Sequence, residues 1–190
     1  MVWDPTDKPM PTLPPPPTYQ LRLLGGFALE RHAQPCKLTY EKSRALLAYL
    51  AMAPNRAQPR LALAELLWPD LARDAALANL RQVVHELRRA LATTDAQPAL
   101  LVVTRDSIAL HPAQALQVDA LAFQESAPPC PTPRCAAVCD PCLARMEALA
   151  QTYQGEFLAG FALPDCQAFE QWLQVQREAL HLRALGLLSR

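Results

Sequence analysis

The chain has 190 residues, with 18 basic side chains balanced by 18 acidic ones, so uniform positive charge cannot be its means of holding nucleic acid. Hydrophobic residues make up 51%, enough for one large domain or two small ones, yet every apolar run is broken short of the roughly 18 residues that span a bilayer. Met1-Val2-Trp3-Asp4-Pro5 lacks the basic start and apolar stretch of a secretory signal, so export is not supported and the cytoplasm is the expected location.

Pro5, Pro9, Pro11 and the run from Pro14 to Pro17 deny backbone donors to helix or sheet, so residues 1–18 read as a disordered tail. From Tyr19, Leu21 and Leu23 alternate with polar residues, Phe27 and Leu29 follow Gly25-Gly26, and Cys36 to Leu38 resumes after a polar turn; these predict short antiparallel strands. Thr39 is placed to cap a helix carrying Leu46, Leu47 and Leu50 that ends before Pro54. Pro59 opens a second helix, Leu61 to Trp68, and Asp74 is placed to cap a third, from about Ala75 to Leu91. Leu100 to Thr104 and Ser107 to Leu110 flank Arg105-Asp106 as a hairpin. Strands, three helices and a hairpin make a small α+β domain over 19–114, and helical patterns then dominate 115–190.

The third helix carries the candidate binding face. With 3.6 residues per turn, Leu80, Val83, Val84, Leu87 and Leu91 form its buried stripe, while Gln82, His85 and Arg89 lie opposite and Arg81 and Arg88 sit on one flank. Gln can pair with adenine, and Arg with guanine or phosphate, so these side chains suit a helix in a major groove, although a solvated helix face has the same composition. The hairpin that follows decides in favour of a winged helix: Arg105 at its tip would reach the minor groove or backbone, with Arg44, Arg56 and Arg60 as further phosphate ligands.

Leu23-Leu24-Gly25-Gly26-Phe27, Ser43 to Leu50, Glu65-Leu66-Leu67-Trp68-Pro69, Ala78 to Gln82 and Leu87 to Leu91 together resemble the OmpR-type winged helix of the SARP-like bacterial transcriptional activators. The resemblance implies that residues 75–91 are the recognition helix, that the loop from Pro69 to Asp74 lies where such proteins approach RNA polymerase, and that double-stranded promoter DNA is bound at direct repeats. Ser107 departs from the pattern, which often has glycine in the wing turn. Tyr153 to Phe161, Leu163-Pro164-Asp165, Phe169 to Leu173 and Arg177-Glu178 resemble the bacterial transcriptional activator domain that follows this winged helix. That likeness implies an all-α, tetratricopeptide-like half serving self-association, such as a homodimer, or packing on the DNA-binding half. Physically, Phe157, Phe161, Phe169 and Trp172 are core residues. A single such repeat cannot bury its own face, so with Leu185, Leu187 and Leu188 in the last helix the expectation is further C-terminal repeats or domains, the alternative being that this helix pairs with another chain.

Cys130, Cys135, Cys139 and Cys142 follow C-x4-C-x3-C-x2-C, and four thiolates within this loop can enclose one tetrahedral ion. Structural zinc leads; an oxidisable thiol switch, an iron–sulfur cluster or no ligand are the alternatives. Cys36 and Cys166 read as ordinary buried thiols. No enzyme is expected: there is no Gly-rich phosphate loop and no G-x-S-x-G, and His32, His85, His111 and His181 form no metal-spaced pair. Sequence-specific DNA binding leads, with a winged-helix interaction scaffold or a metal or redox sensor acting through the four cysteines as the alternatives.

Overall fold

The computed structural model describes residues 19–53, 56–91, 100–111, 116–125 and 140–188, with the side chains of 140–143, 145–146 and 187–188 left out. The proline-rich segment 1–18 and three of the four clustered cysteines lie outside the described residues.

Strand β1 (Tyr19–Arg22) buries Tyr19 and Leu21 and exposes Gln20 and Arg22, the period of two that puts one face on a core. It pairs antiparallel with β2 (Ala28–Arg31), setting Leu21 opposite Leu29. β2 turns through His32 and Ala33, both at positive φ, into β3 (Gln34–Pro35). The strand expected at Cys36–Leu38 is therefore displaced: a two-residue turn closes the hairpin early, and only the Cys36 N–H still reaches back, to the Leu29 carbonyl at 2.8 Å.

Helix α1 (Glu41–Ala51) follows, then β4 (Gln58–Pro59), α2 (Arg60–Leu67) and α3 (Arg73–Ala90). The two caps expected from the sequence are not used. Tyr40 and Ala72 occupy the N-cap positions of α1 and α3, neither with a side-chain cap bond. Asp74 lies in the first turn of α3, where its charge still complements the helix dipole. The buried stripe of α3 is as the periodicity requires, with Leu80, Val83, Val84 and Leu87 packed into one core with Leu46, Leu47, Leu50, Leu63, Leu67 and Ile108. The Tyr19 hydroxyl donates to the Leu91 carbonyl at 2.9 Å and anchors the end of α3 to the first sheet.

Strands β5 (Leu101–Val103) and β6 (Ser107–Leu110) form the hairpin, and β4 adds to its free edge in the order β4-β6-β5. The turn needs no glycine. Neither Arg105, Asp106 nor Ser107 has positive φ, and the Thr104 hydroxyl accepts the Ser107 N–H at 3.0 Å and contacts the Ser107 hydroxyl at 2.9 Å.

Beyond the hairpin, β7 (Leu116–Val118) joins β1 in parallel, giving the order β3-β2-β1-β7, and leads into α4 (Asp119–Glu125), α5 (Asp140–Thr152) and α6 (Gln167–Leu188). Asp119 binds the first sheet through its carboxylate, which accepts the Leu23 N–H at 2.8 Å and the Leu24 N–H at 3.0 Å. The segment before α6 adds to the same edge: the Leu158 N–H donates to the Leu23 carbonyl at 2.7 Å and the Gly25 N–H to the Glu156 carbonyl at 3.0 Å. Arg177 of α6 fixes that segment by donating to the carbonyls of Phe157, Leu158 and Phe161. Phe157 and Phe169 are fully buried, whereas Trp172 and Phe161 are half-buried against them; Trp172 also contacts Tyr49 of α1, with ring centres 5.0 Å apart. Residues from both sides of the hairpin thus share one core. The fold is a mixed α+β architecture with two small sheets. Among the C-terminal helices, α4 packs on β1, β7, α5 and α6, and α6 packs on α2 as well.

Candidate nucleic-acid interface

Burial of Leu80, Val83, Val84 and Leu87 forces the opposite side of α3 outward, so Ala78, Arg81, Gln82, His85, Arg88 and Arg89 are all exposed. Measured from Leu80 at about 100° per residue, Ala78, His85 and Arg89 form a ridge roughly opposite the core. A groove runs along each side of that ridge.

On one side, α3 faces the hairpin. Arg73, Leu77 and Arg81 of α3, Arg60 and Leu61 of α2, and Arg105 and Asp106 of the hairpin turn line a cleft of about 430 Å³. The turn is fastened to α2: the Arg60 N–H donates to the Asp106 carbonyl at 2.9 Å and its guanidinium reaches the Thr104 carbonyl at 3.3 Å. Among the described residues no carboxylate pairs with Arg73, Arg81 or Arg105. Four arginines line one open cleft, a composition chemically suited to anions, and Asp106 is the sole acid in its lining.

On the other side, Asn79, Gln82, Val83 and Glu86 of α3 face Tyr40 at the start of α1 across a second groove, also of about 430 Å³. Glu86 accepts hydrogen bonds from the Ser43 hydroxyl, the Thr39 N–H at 3.2 Å and hydroxyl at 3.0 Å, and the Tyr40 N–H at 3.3 Å. Burial opposes its ionisation, but these donors outweigh burial and hold its carboxyl below the ordinary value.

Of the residues singled out from the sequence, the structure brings Arg81 and Arg105 together with Arg60, and sets Gln82, His85, Arg88 and Arg89 along one exposed helix face. It does not bring Arg44 there. The Arg44 guanidinium donates to the Leu38 carbonyl at 2.9 Å and lines a separate groove over β2 with Arg22 and Lys37. Arg73 is the member that sequence reasoning missed. By helical angle it falls within about 20° of Leu80, on the buried side, but it opens the first turn and so lies past the edge of the core.

The four-cysteine loop lies outside the described residues apart from the backbone of Cys142 in α5, and the zinc expectation rests on its spacing alone. Cys166 is fully buried, its thiol donating to the Leu67 carbonyl at 3.1 Å, whereas Cys36 is partly exposed rather than buried. Among the described residues no helix is long and apolar enough to cross a membrane.

No protein-family model matches the sequence, and no curated protein aligns with it. Among solved structures, EmbR of Mycobacterium tuberculosis, determined in complex with a low-affinity phosphopeptide, superposes over 87% of this chain with a TM-score of 0.66 and 22% sequence identity. The chain spans 43% of that structure's length. What the two share is the fold.

Proposed function

We propose that this chain is a transcriptional regulator that binds double-stranded DNA, with α3 in the major groove and the β5–β6 turn on the adjoining backbone. The observation that carries this reading is the cleft in which Arg60, Arg73, Arg81 and Arg105 converge beside the exposed face of Gln82, His85 and Arg89. Arginines gathered on a groove wall suit phosphates, whereas Gln, His and Arg on the ridge suit base edges, so the two surfaces divide positioning from readout. Zero net charge is compatible with this because four arginines line one cleft with a single acid among them. The likeness to EmbR supports the same class of protein through its fold. The exposed Leu71, between α2 and α3, belongs to the loop that the sequence resemblance assigns to RNA polymerase.

The test is binding of the full chain to its own promoter fragment and to a scrambled duplex, followed across salt concentration by fluorescence anisotropy. Preference for the promoter, with Arg81→Ala and Arg105→Ala each lowering the dependence of log K on log salt by about 0.9 per lost phosphate contact, is the expected result. Indifference to sequence and to both substitutions would instead favour an interaction scaffold that uses the winged helix without DNA.

A further inference from the structure

The two grooves beside α3 are chemically unlike. One is walled by four arginines; the other is walled by Tyr40, Asn79 and Gln82, with Glu86 at its base. An α-helix with its side chains is about 10–12 Å across and the DNA major groove about 12 Å wide, so a helix lying in it meets both groove walls, each formed by one strand's backbone. The arginine cleft accounts for one wall. The residues facing the other wall are those of the Tyr40 groove.

We propose that Tyr40 is a DNA-contacting residue, its side chain meeting the sugar–phosphate backbone of the strand opposite the one held by the arginine cleft. This rests on the DNA-binding reading above and adds a second, uncharged track to it. Three observations carry the step. Tyr40 is 48% exposed, so its ring is open to a partner. Its backbone is pinned beside α3, since its N–H donates to Glu86 of α3 and its carbonyl accepts the Ser43 N–H at 3.1 Å. Finally, the carboxylate that lines its groove is already occupied: Glu86 accepts from Thr39, Tyr40 and Ser43. An arginine at this place would be drawn to Glu86, whereas a phenol can donate to a phosphate without that competition. Asn79 and Gln82, on the same groove, add amide donors.

The arrangement predicts that the two walls respond differently to salt. Losing an arginine contact releases one fewer counterion, whereas losing a tyrosine hydroxyl releases none. The experiment measures binding of the full chain to promoter duplex for wild type, Tyr40→Phe, Tyr40→Ala and Arg73→Ala across salt, with thermal melts to confirm that each variant is folded. Tyr40→Phe should weaken binding by about tenfold at every salt concentration and leave the slope unchanged, whereas Arg73→Ala should lower the slope by about 0.9. Methylphosphonate scanning of each strand should then reveal a single neutralised linkage at which wild type and Tyr40→Phe bind equally, on the strand opposite the one where Arg73→Ala shows the same insensitivity. If Tyr40→Phe and Tyr40→Ala bind as wild type while Arg73→Ala is weakened, the Tyr40 contact is overturned and the DNA reading stands. If wild type shows no salt-dependent binding at all, both fall.

Discussion

Glu86 of α3 accepts the hydroxyl hydrogen of Ser43 of α1, and the same carboxylate takes the amides of Thr39 and Tyr40 as α1 begins. Ser43 is the one fully buried polar residue of the described core, so this bond is shielded from solvent competition. A side chain of α3 therefore ties down the entry to α1, taking the amides of the N-cap residue Tyr40 and of Thr39 before it, while α1 lacks a side-chain cap of its own. Glu86→Ala should cost about 1–3 kcal/mol in urea denaturation, because it strips the acceptor from a buried hydroxyl and from two amides. Ser43→Ala removes donor and partner need together and should cost less.

Gly25 and Gly155 meet where the segment before α6 joins the first sheet. Gly25 has φ +89°, and a Cβ there would stand 3.2 Å from the Gln154 carbonyl oxygen; a Cβ on Gly155 would stand 3.1 Å from the Gly25 Cα. Gly25→Ala should therefore lower stability by about 2 kcal/mol, combining left-handed backbone strain with a displaced contact to backbone. Gly26→Ala is the control. A Cβ at Gly26 meets nothing within 4 Å, so its melting temperature should stay close to wild type.

The helices and the hairpin were legible in the sequence because each declares itself locally. Leu80, Val84, Leu87 and Leu91 repeat at helical spacing, and two apolar runs flank Arg105-Asp106. What escaped was whatever depends on distant partners. Leu116–Val118 is three residues long and pairs in parallel with a strand nearly the whole winged helix away, so no hairpin signal announces it. Thr39 looks like a cap in sequence, yet its hydroxyl goes to Glu86, a residue that the helical wheel places merely on a flank. Of the candidate interface, the ridge followed from periodicity, but Arg73 and Tyr40 did not, since one sits at a helix end and the other in a loop. Arg44 was legible as a cation without its partner, the Leu38 carbonyl.

Cys166 tests how tightly α6 is seated on α2. Its thiol and the Lys42 ammonium both donate to the Leu67 carbonyl, Lys42 at 2.7 Å, and Lys42 lies 5.1 Å from the Trp68 ring centre. Burial pushes the thiol above its ordinary range, and the Lys42 charge offsets only part of that. Alkylation with iodoacetamide at pH 8, resolved by peptide mass spectrometry, should modify Cys36 in the native protein while Cys166 reacts only as the chain unfolds. Rapid native labelling of Cys166 would mean that the α2–α6 contact opens readily.

Asp119 and Glu86 should give the protein two opposing responses to acid. Burial raises the Asp119 carboxyl above its ordinary value, prevailing over the amides of Leu24, Leu23 and Ala120 and the charge of Arg22 that favour the ionised form. Folding therefore favours its protonated form, so its contribution declines as pH rises from the unfolded carboxyl value through the raised folded one. Glu86 has the reverse sign: its carboxyl is lowered in the fold, so its stabilisation is present above the unfolded value and is lost as pH falls through the folded one. In urea titrations between pH 3 and 7, Glu86→Gln should lessen the loss of stability in acid. Asp119→Asn should do the opposite and steepen the loss in acid. It should also cost about 1–3 kcal/mol at pH 7, because an amide can present one oxygen to Leu23 and Ala120 but sets an N–H against the Leu24 N–H. Parallel pH profiles for the two variants would overturn the opposite shifts of the two carboxyls.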